Sequence, residues 1–133
     1  MKPRLSGEPA SQRLTGARFT TETMQAIFCD RARVQAMLDF ERALAVAQAR
    51  VALIPASAAP AIAQQCDATL YDLASIARAT REAGNPAIPL VQALTACVAA
   101  DDADAARFVH WGATSQDVMD TGLVLQLMKA LHV

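Results

Sequence analysis

The chain has 133 residues, 53% of them hydrophobic, with 12 lysines and arginines against 13 acids and a formal net charge of −1. That length suits one domain around one modest core, and the near-neutral balance argues against a nucleic-acid-binding surface. No apolar run reaches the roughly 18 residues that a membrane span needs.

Residues 1–17 contain Pro, Gly and Ser without periodicity and read as a flexible arm, and residues 18–133 read as one helical domain. No apolar block follows Lys2 and Arg4, so no secretion signal is expected. The three cysteines, Cys29, Cys66 and Cys97, fit neither a metal spacing nor a disulfide framework, which points to free thiols in the cytoplasm. Thr20 or Thr21 is expected to cap a short helix carrying Met24, Ile27 and Phe28. Asp30 then caps a long helix from about residue 31 to 53. In it Met37, Phe40, Leu44, Ala47, Val51 and Ile54 recur at spacings of three and four, a seam for another helix. Glu41 and Arg42 lie within it and read as an ion pair, on the surface or buried. Pro55 ends the helix.

Ser57 suits the cap of a short helix to Cys66, with Pro60 in its first turn. Residues 67–71 form a junction. Asp72 caps the next helix, through Leu73, Ile76, Ala77 and Thr80, and Gly84 ends it in a left-handed turn. Pro86 and Pro89 are expected to hold an extended connector, with the following helix starting near Pro89. That helix runs from Leu90 to Ala99 with Leu90, Val91, Leu94, Cys97 and Val98 on its apolar side. Asp101, Asp102 and Asp104 lack the glycine turn and closing glutamate of a calcium loop. They read as a solvated loop or as the cap of a short turn at Ala105 and Ala106. Strand signals are nearly absent, so the fold class is all-α. The high apolar fraction implies surface buried against partner subunits.

The chemically richest stretch is His110-Trp111-Gly112-Ala113-Thr114-Ser115-Gln116-Asp117-Val118-Met119-Asp120-Thr121. It holds one of two histidines and the single tryptophan. It reads as a loop that turns at Gly112 and becomes a helix capped by Thr114 or Ser115. A helix start offers unpaired N–H groups and the positive end of a dipole, which suit a carboxylate or phosphate. Two hydroxyls and an imidazole beside those amides make a small anion pocket. The same residues also fit a plain cap, a structural histidine, and an Asp117 that complements the dipole.

This string resembles, without a gap, the first signature region of the fumarase/aspartase superfamily. It is most similar to the superfamily's cycloisomerases, with the adenylosuccinate lyases as the next resemblance. Asp39 to Ala45 and Gly84 to Val91 resemble the same group. The resemblance implies the superfamily's N-terminal helical domain, without most of the central helical bundle. It implies chemistry across a carbon–carbon double bond beside a carboxylate. The substrate would be a small tricarboxylate whose own carboxylate closes a lactone, in the breakdown of protocatechuate. No metal and no organic cofactor is implied, and no nucleic-acid or membrane partner. The implied assembly is a homotetramer whose active sites are each built from three subunits.

For residues, the resemblance implies that Thr114 and Ser115 bind a substrate carboxylate and that His110 adds a hydrogen bond or a positive charge. Asp117 would orient its neighbours and cap amides, and Trp111 would form a pocket wall. Arg18 is a candidate for carboxylate contact. Asn85 either donates its amide to a carboxylate or serves a turn. The superfamily's second signature, with a further histidine, and its third, with a serine general base, are not found in these 133 residues. The chain alone is therefore expected to be inactive. An adenylosuccinate-lyase-like fragment and a non-catalytic, self-associating helical domain stand as alternatives.

Overall fold

Residues 20–133, the part that the computed structural model describes, are helices joined by short turns, with no strand among them. The arm at 1–17 and Arg18 lie outside the described residues. In chain order the helices are α1 (Glu22–Phe28), α2 (Asp30–Arg50), α3 (Ala58–Gln64), α4 (Leu73–Ala83), α5 (Ala87–Asp101), α6 (Ala103–Ala106) and α7 (Ser115–Leu131), with a 3₁₀ turn at Ala68–Leu70.

Local chemistry sets most of these boundaries. Side chains of Thr21, Asp72, Asp102 and Thr114 accept hydrogen bonds from first-turn amides of α1, α4, α6 and α7, satisfying donors that have no partner inside the helix. Gly84 ends α4 at φ 78°, and its N–H donates to the Thr80 carbonyl at 2.9 Å.

Four expectations are corrected. Asp30 is the first residue of α2, not its cap; Cys29 holds the cap position and makes no side-chain bond there. α2 stops at Arg50 because Ala52 turns left-handed, at φ 57°, and the Leu53 N–H bonds back to the Gln48 carbonyl. Pro55 therefore follows a turn that has already ended the helix. Ser57 stands at the cap of α3, yet its hydroxyl makes no capping bond, and α3 ends at Gln64. α5 begins at Ala87, before Pro89, because the Asn85 side-chain carbonyl accepts from the Ala87 and Ile88 amides. Pro86 is already helical, at φ −78° and ψ −18°, so residues 85–89 are not extended.

The core gathers Met37 and Leu38 of α2, Ile62 of α3, Leu90, Leu94 and Val98 of α5, and Val118 of α7. α7 runs back along α2. Trp111 meets Gln48, Gly122 lies on Met37, and Gln126 reaches the Ile27 carbonyl beside the start of α2. At Gly122 the two helices come close enough that an added Cβ would lie 3.0 Å from the Met37 side chain.

The seam expected along α2 sits in a different register. Val34, Leu38, Glu41, Ala45 and Gln48 form the buried stripe, at alternating spacings of four and three. Of the expected set, Met37 is buried, but Phe40 and Leu44 are half-buried and Ala47 and Val51 are exposed. Ile54 is buried from beyond the end of the helix. The helix therefore turns two polar side chains inward, Glu41 and Gln48.

Candidate active site

The loop between α6 and α7 carries two left-handed residues, His110 at φ 58° and Gly112 at φ 70°. Glycine adopts this region freely. A residue with a side chain held there costs about 1–3 kcal/mol and persists only where its surroundings offset that cost. The inward-facing polar residues of α2 supply that offset. His110 Nδ1 lies 2.6 Å from Glu41 Oε1, and Glu41 is only 1% exposed. Two turns further along the same stripe, Gln48 Nε2 donates to the Trp111 carbonyl at 2.7 Å. Phe108 packs on the Trp111 ring at a centroid distance of 5.7 Å. These contacts pin successive loop residues to one helix.

Burial pushes the Glu41 carboxyl above its usual range, and the hydrogen bond and charge of His110 pull it partly back. Its second oxygen, Oε2, has no partner among the described residues. The expected pairing of Glu41 with Arg42 does not form. Arg42 points elsewhere, donating to the Cys66 carbonyl and lying 3.9 Å from Asp39.

At the start of α7, Thr114 and Asp117 close a reciprocal capping box. The Thr114 amide and hydroxyl both donate to Asp117 Oδ2 at 2.8 Å, and the Asp117 amide donates back to Thr114 Oγ1. The two bonds from Thr114 hold the Asp117 carboxyl below its ordinary value. The Thr114 hydroxyl proton is thus committed within the protein. The donors left open are the Ser115 hydroxyl and the Ser115 and Gln116 amides, and the Nε2 edge of His110 is also without a protein partner among the described residues. Asp117 occupies one side of the helix start with its own charge. An arriving anion is left the Ser115–Gln116 side, where the dipole and the free amides still favour it.

One junction thus brings together His110, Thr114, Ser115 and Asp117. Asn85 stands at the start of α5, where its side-chain carbonyl caps the helix. Its neighbour Pro86 lines a hollow of about 270 Å³ with Asp30, Arg33, Val34 and Met37, nearer the start of α2 than Glu41 and Gln48. Arg18 falls outside the described residues. The pair that sequence reasoning missed is Glu41 and Gln48. The available signal was their heptad spacing with Val34, Leu38 and Ala45, which places two polar groups on an otherwise apolar stripe.

A family model described as lyase matches residues 17–133. The chain is 56% identical over 127 residues to the 3-carboxy-cis,cis-muconate cycloisomerase of Pseudomonas aeruginosa, covering 96% of this chain and 28% of that protein. It is 42% identical over 130 residues to the nitrosuccinate lyase of Streptomyces davaonensis, covering 98% of this chain and 27% of that protein. The crystal structure of the 3-carboxy-cis,cis-muconate lactonizing enzyme from Pseudomonas putida matches with a TM-score of 0.86 at 55% identity, over 90% of this chain and 27% of that one. The chain spans little more than a quarter of the length of these relatives.

Proposed function

Given that the chain belongs to the lyase family of the fumarase/aspartase superfamily, we propose that it is the N-terminal part of an enzyme that lactonises 3-carboxy-cis,cis-muconate. Residues 18–133 form the superfamily's first domain, preceded by an arm at 1–17. The higher identity to the cycloisomerase than to the nitrosuccinate lyase favours ring closure over elimination.

The observation that carries this reading is the open start of α7, where the Ser115 hydroxyl and two free amides follow directly on the pinned loop that carries His110, whose charge acts on Asp117. In the reaction, one carboxylate oxygen of the substrate attacks its own diene carbon and a C–O bond forms. The displaced electron pair moves onto the carbon beside another carboxylate, whose oxygens take up the charge. A proton delivered to that carbon gives the γ-lactone. Charge that develops on a carboxylate needs donors already in place, since each such donor contributes about 10²–10³ in rate. Ser115 and the α7 amides fill that role, His110 adds a hydrogen bond or positive charge, and Thr114 and Asp117 hold the helix start in shape. Arg18 and Asn85 are further candidates for carboxylate contact. The general acid and base come from outside these residues, so the 133 residues alone turn over no substrate.

The full-length protein is proposed to be a cytoplasmic homotetramer that joins its subunits through helices. Exposed Leu123, Val124, Leu127 and Met128 on one side of α7 support such an assembly. No helix among the described residues is long and apolar enough to cross a membrane.

A graft tests the reading. Residues 20–133 replace the matching segment of the Pseudomonas putida enzyme, and lactone formation is followed. The chimera is expected to turn over 3-carboxy-cis,cis-muconate, and Ser115→Ala within it to lower kcat/KM by about 10²-fold or more. A correctly assembled chimera that forms no lactone overturns the proposal.

A further inference from the structure

Resting on the reading of His110 as a group that meets substrate, we propose that Glu41 is its positioning residue: by accepting the Nδ1 proton, Glu41 fixes the tautomer and turns Nε2 toward the open start of α7. Four observations carry this. The Glu41–His110 contact, at 2.6 Å, is short and spans 69 positions of sequence. Glu41 is 1% exposed on a stripe that otherwise buries Val34, Leu38 and Ala45, where an apolar residue would pack without desolvating a charge. His110 holds a left-handed backbone, at φ 58°, that is uncommon for a residue with a side chain. Gln48, two turns along, pins the very next residue of the loop. A carboxylate has no proton to donate, whereas an imidazole nitrogen either donates or accepts. An ionised Glu41 therefore requires the hydrogen on Nδ1, and the hydrogen bond at one ring nitrogen decides the state of the other. Nε2, which has no partner among the described residues, becomes the nitrogen that accepts a proton or, once charged, donates to a carboxylate.

Gln48 supports the arrangement from the backbone side. Its amide on the Trp111 carbonyl stops the loop from swinging outward and taking the ring off Glu41.

The test is a long-range ¹H–¹⁵N correlation spectrum of the histidine side chains in the 133-residue chain, above the pH at which imidazole is charged. Only two histidines contribute, and His132→Asn assigns them. The expected pattern for His110 is a protonated Nδ1 and a bare Nε2. In Glu41→Gln, whose amide both donates and accepts, the two nitrogen shifts of His110 should move toward an averaged value while those of His132 stay in place. If Glu41→Gln fails to fold, the spectrum of the unmodified chain decides alone. Hydrogen on Nε2, as when a protonated Glu41 donates to Nδ1, overturns the proposal, and so does free tautomeric averaging. Adding propane-1,2,3-tricarboxylate to a second sample, at a pH low enough to charge the imidazole so that Nε2 carries a hydrogen to donate, separates this inference from the site reading beneath it. A fixed tautomer whose Nε2 ignores the tricarboxylate supports Glu41 and counts against substrate contact by His110. An averaged tautomer that still responds to the tricarboxylate does the opposite.

Discussion

Helices α5 and α7 both help to bury the core, but they divide their side chains in opposite ways. α5 puts Leu90, Leu94 and Val98 inside, each at most 1% exposed. α7 puts Val118 inside near its start, but beyond it Gly122 and Gln126 face inward while Leu123, Val124, Leu127 and Met128 stay exposed. The first helix is sorted by the hydrophobic effect of its own domain. The second is sorted by two other demands, a close approach to α2 at Gly122 and the anchoring of the loop at its start. Where a helix turns glycine and glutamine inward and leucine outward, its apolar side is not serving the core of its own domain.

Substitutions should separate the two cases. The largest effect is expected on α5: Leu94→Ala should lower unfolding free energy by about 2–5 kcal/mol in urea titrations, since the emptied space lies at the centre of the core. Gln48→Ala should cost less, about 1–3 kcal/mol, by removing the partner of the part-buried Trp111 carbonyl. Its distinguishing mark is faster amide exchange confined to residues 107–114. Exchange that rises evenly through the chain would mean the loop has no anchor of its own. Leu127→Glu on the outer side of α7 should change monomer stability by no more than about 0.5 kcal/mol, while sedimentation should show weaker self-association. A loss like that of Leu94→Ala would place Leu127 in the core and remove the contrast.

The smallest effect is a pH dependence at the start of α7. The Asp117 carboxyl is held below its ordinary 3.8 by the Thr114 bonds. The folded helix start therefore binds its proton less readily than the unfolded chain. The stabilisation is present above the ordinary value and is lost as pH falls through the lowered one. Amide exchange at residues 115–117 should speed up in that acid window and lose its pH dependence in Asp117→Asn.

What the sequence made legible follows from how local each cause is. Thr21, Asp72, Gly84, Asp102 and Thr114 act within a turn of themselves, so residue type and position placed Asp72 and Gly84 outright and narrowed the other caps to two or three neighbouring residues. The register of α2 depended on partners far away. Apolar periodicity gives Glu41 and Gln48 no place on the seam, which it draws through Phe40, Leu44 and Val51 instead. Only the folded chain brings His110 and Trp111 back, 69 and 63 positions later, to accept them inside. The end of α2 was missed for a related reason, because Ala52 takes a left-handed turn that its side chain does not announce. In the site, the motif showed which residues gather but not how the hydroxyls divide. Thr114 is committed to Asp117, and Ser115 is left open.

The most direct measurement is a titration of the ¹⁵N-labelled chain with propane-1,2,3-tricarboxylate, reading the Ser115 and Gln116 amides. Saturable shifts at these two amides, abolished by a bulky Ser115→Val, are expected if the start of α7 grips a carboxylate. Shifts that stay absent there, or that spread over exposed arginines with no maximum at α7, would contradict it.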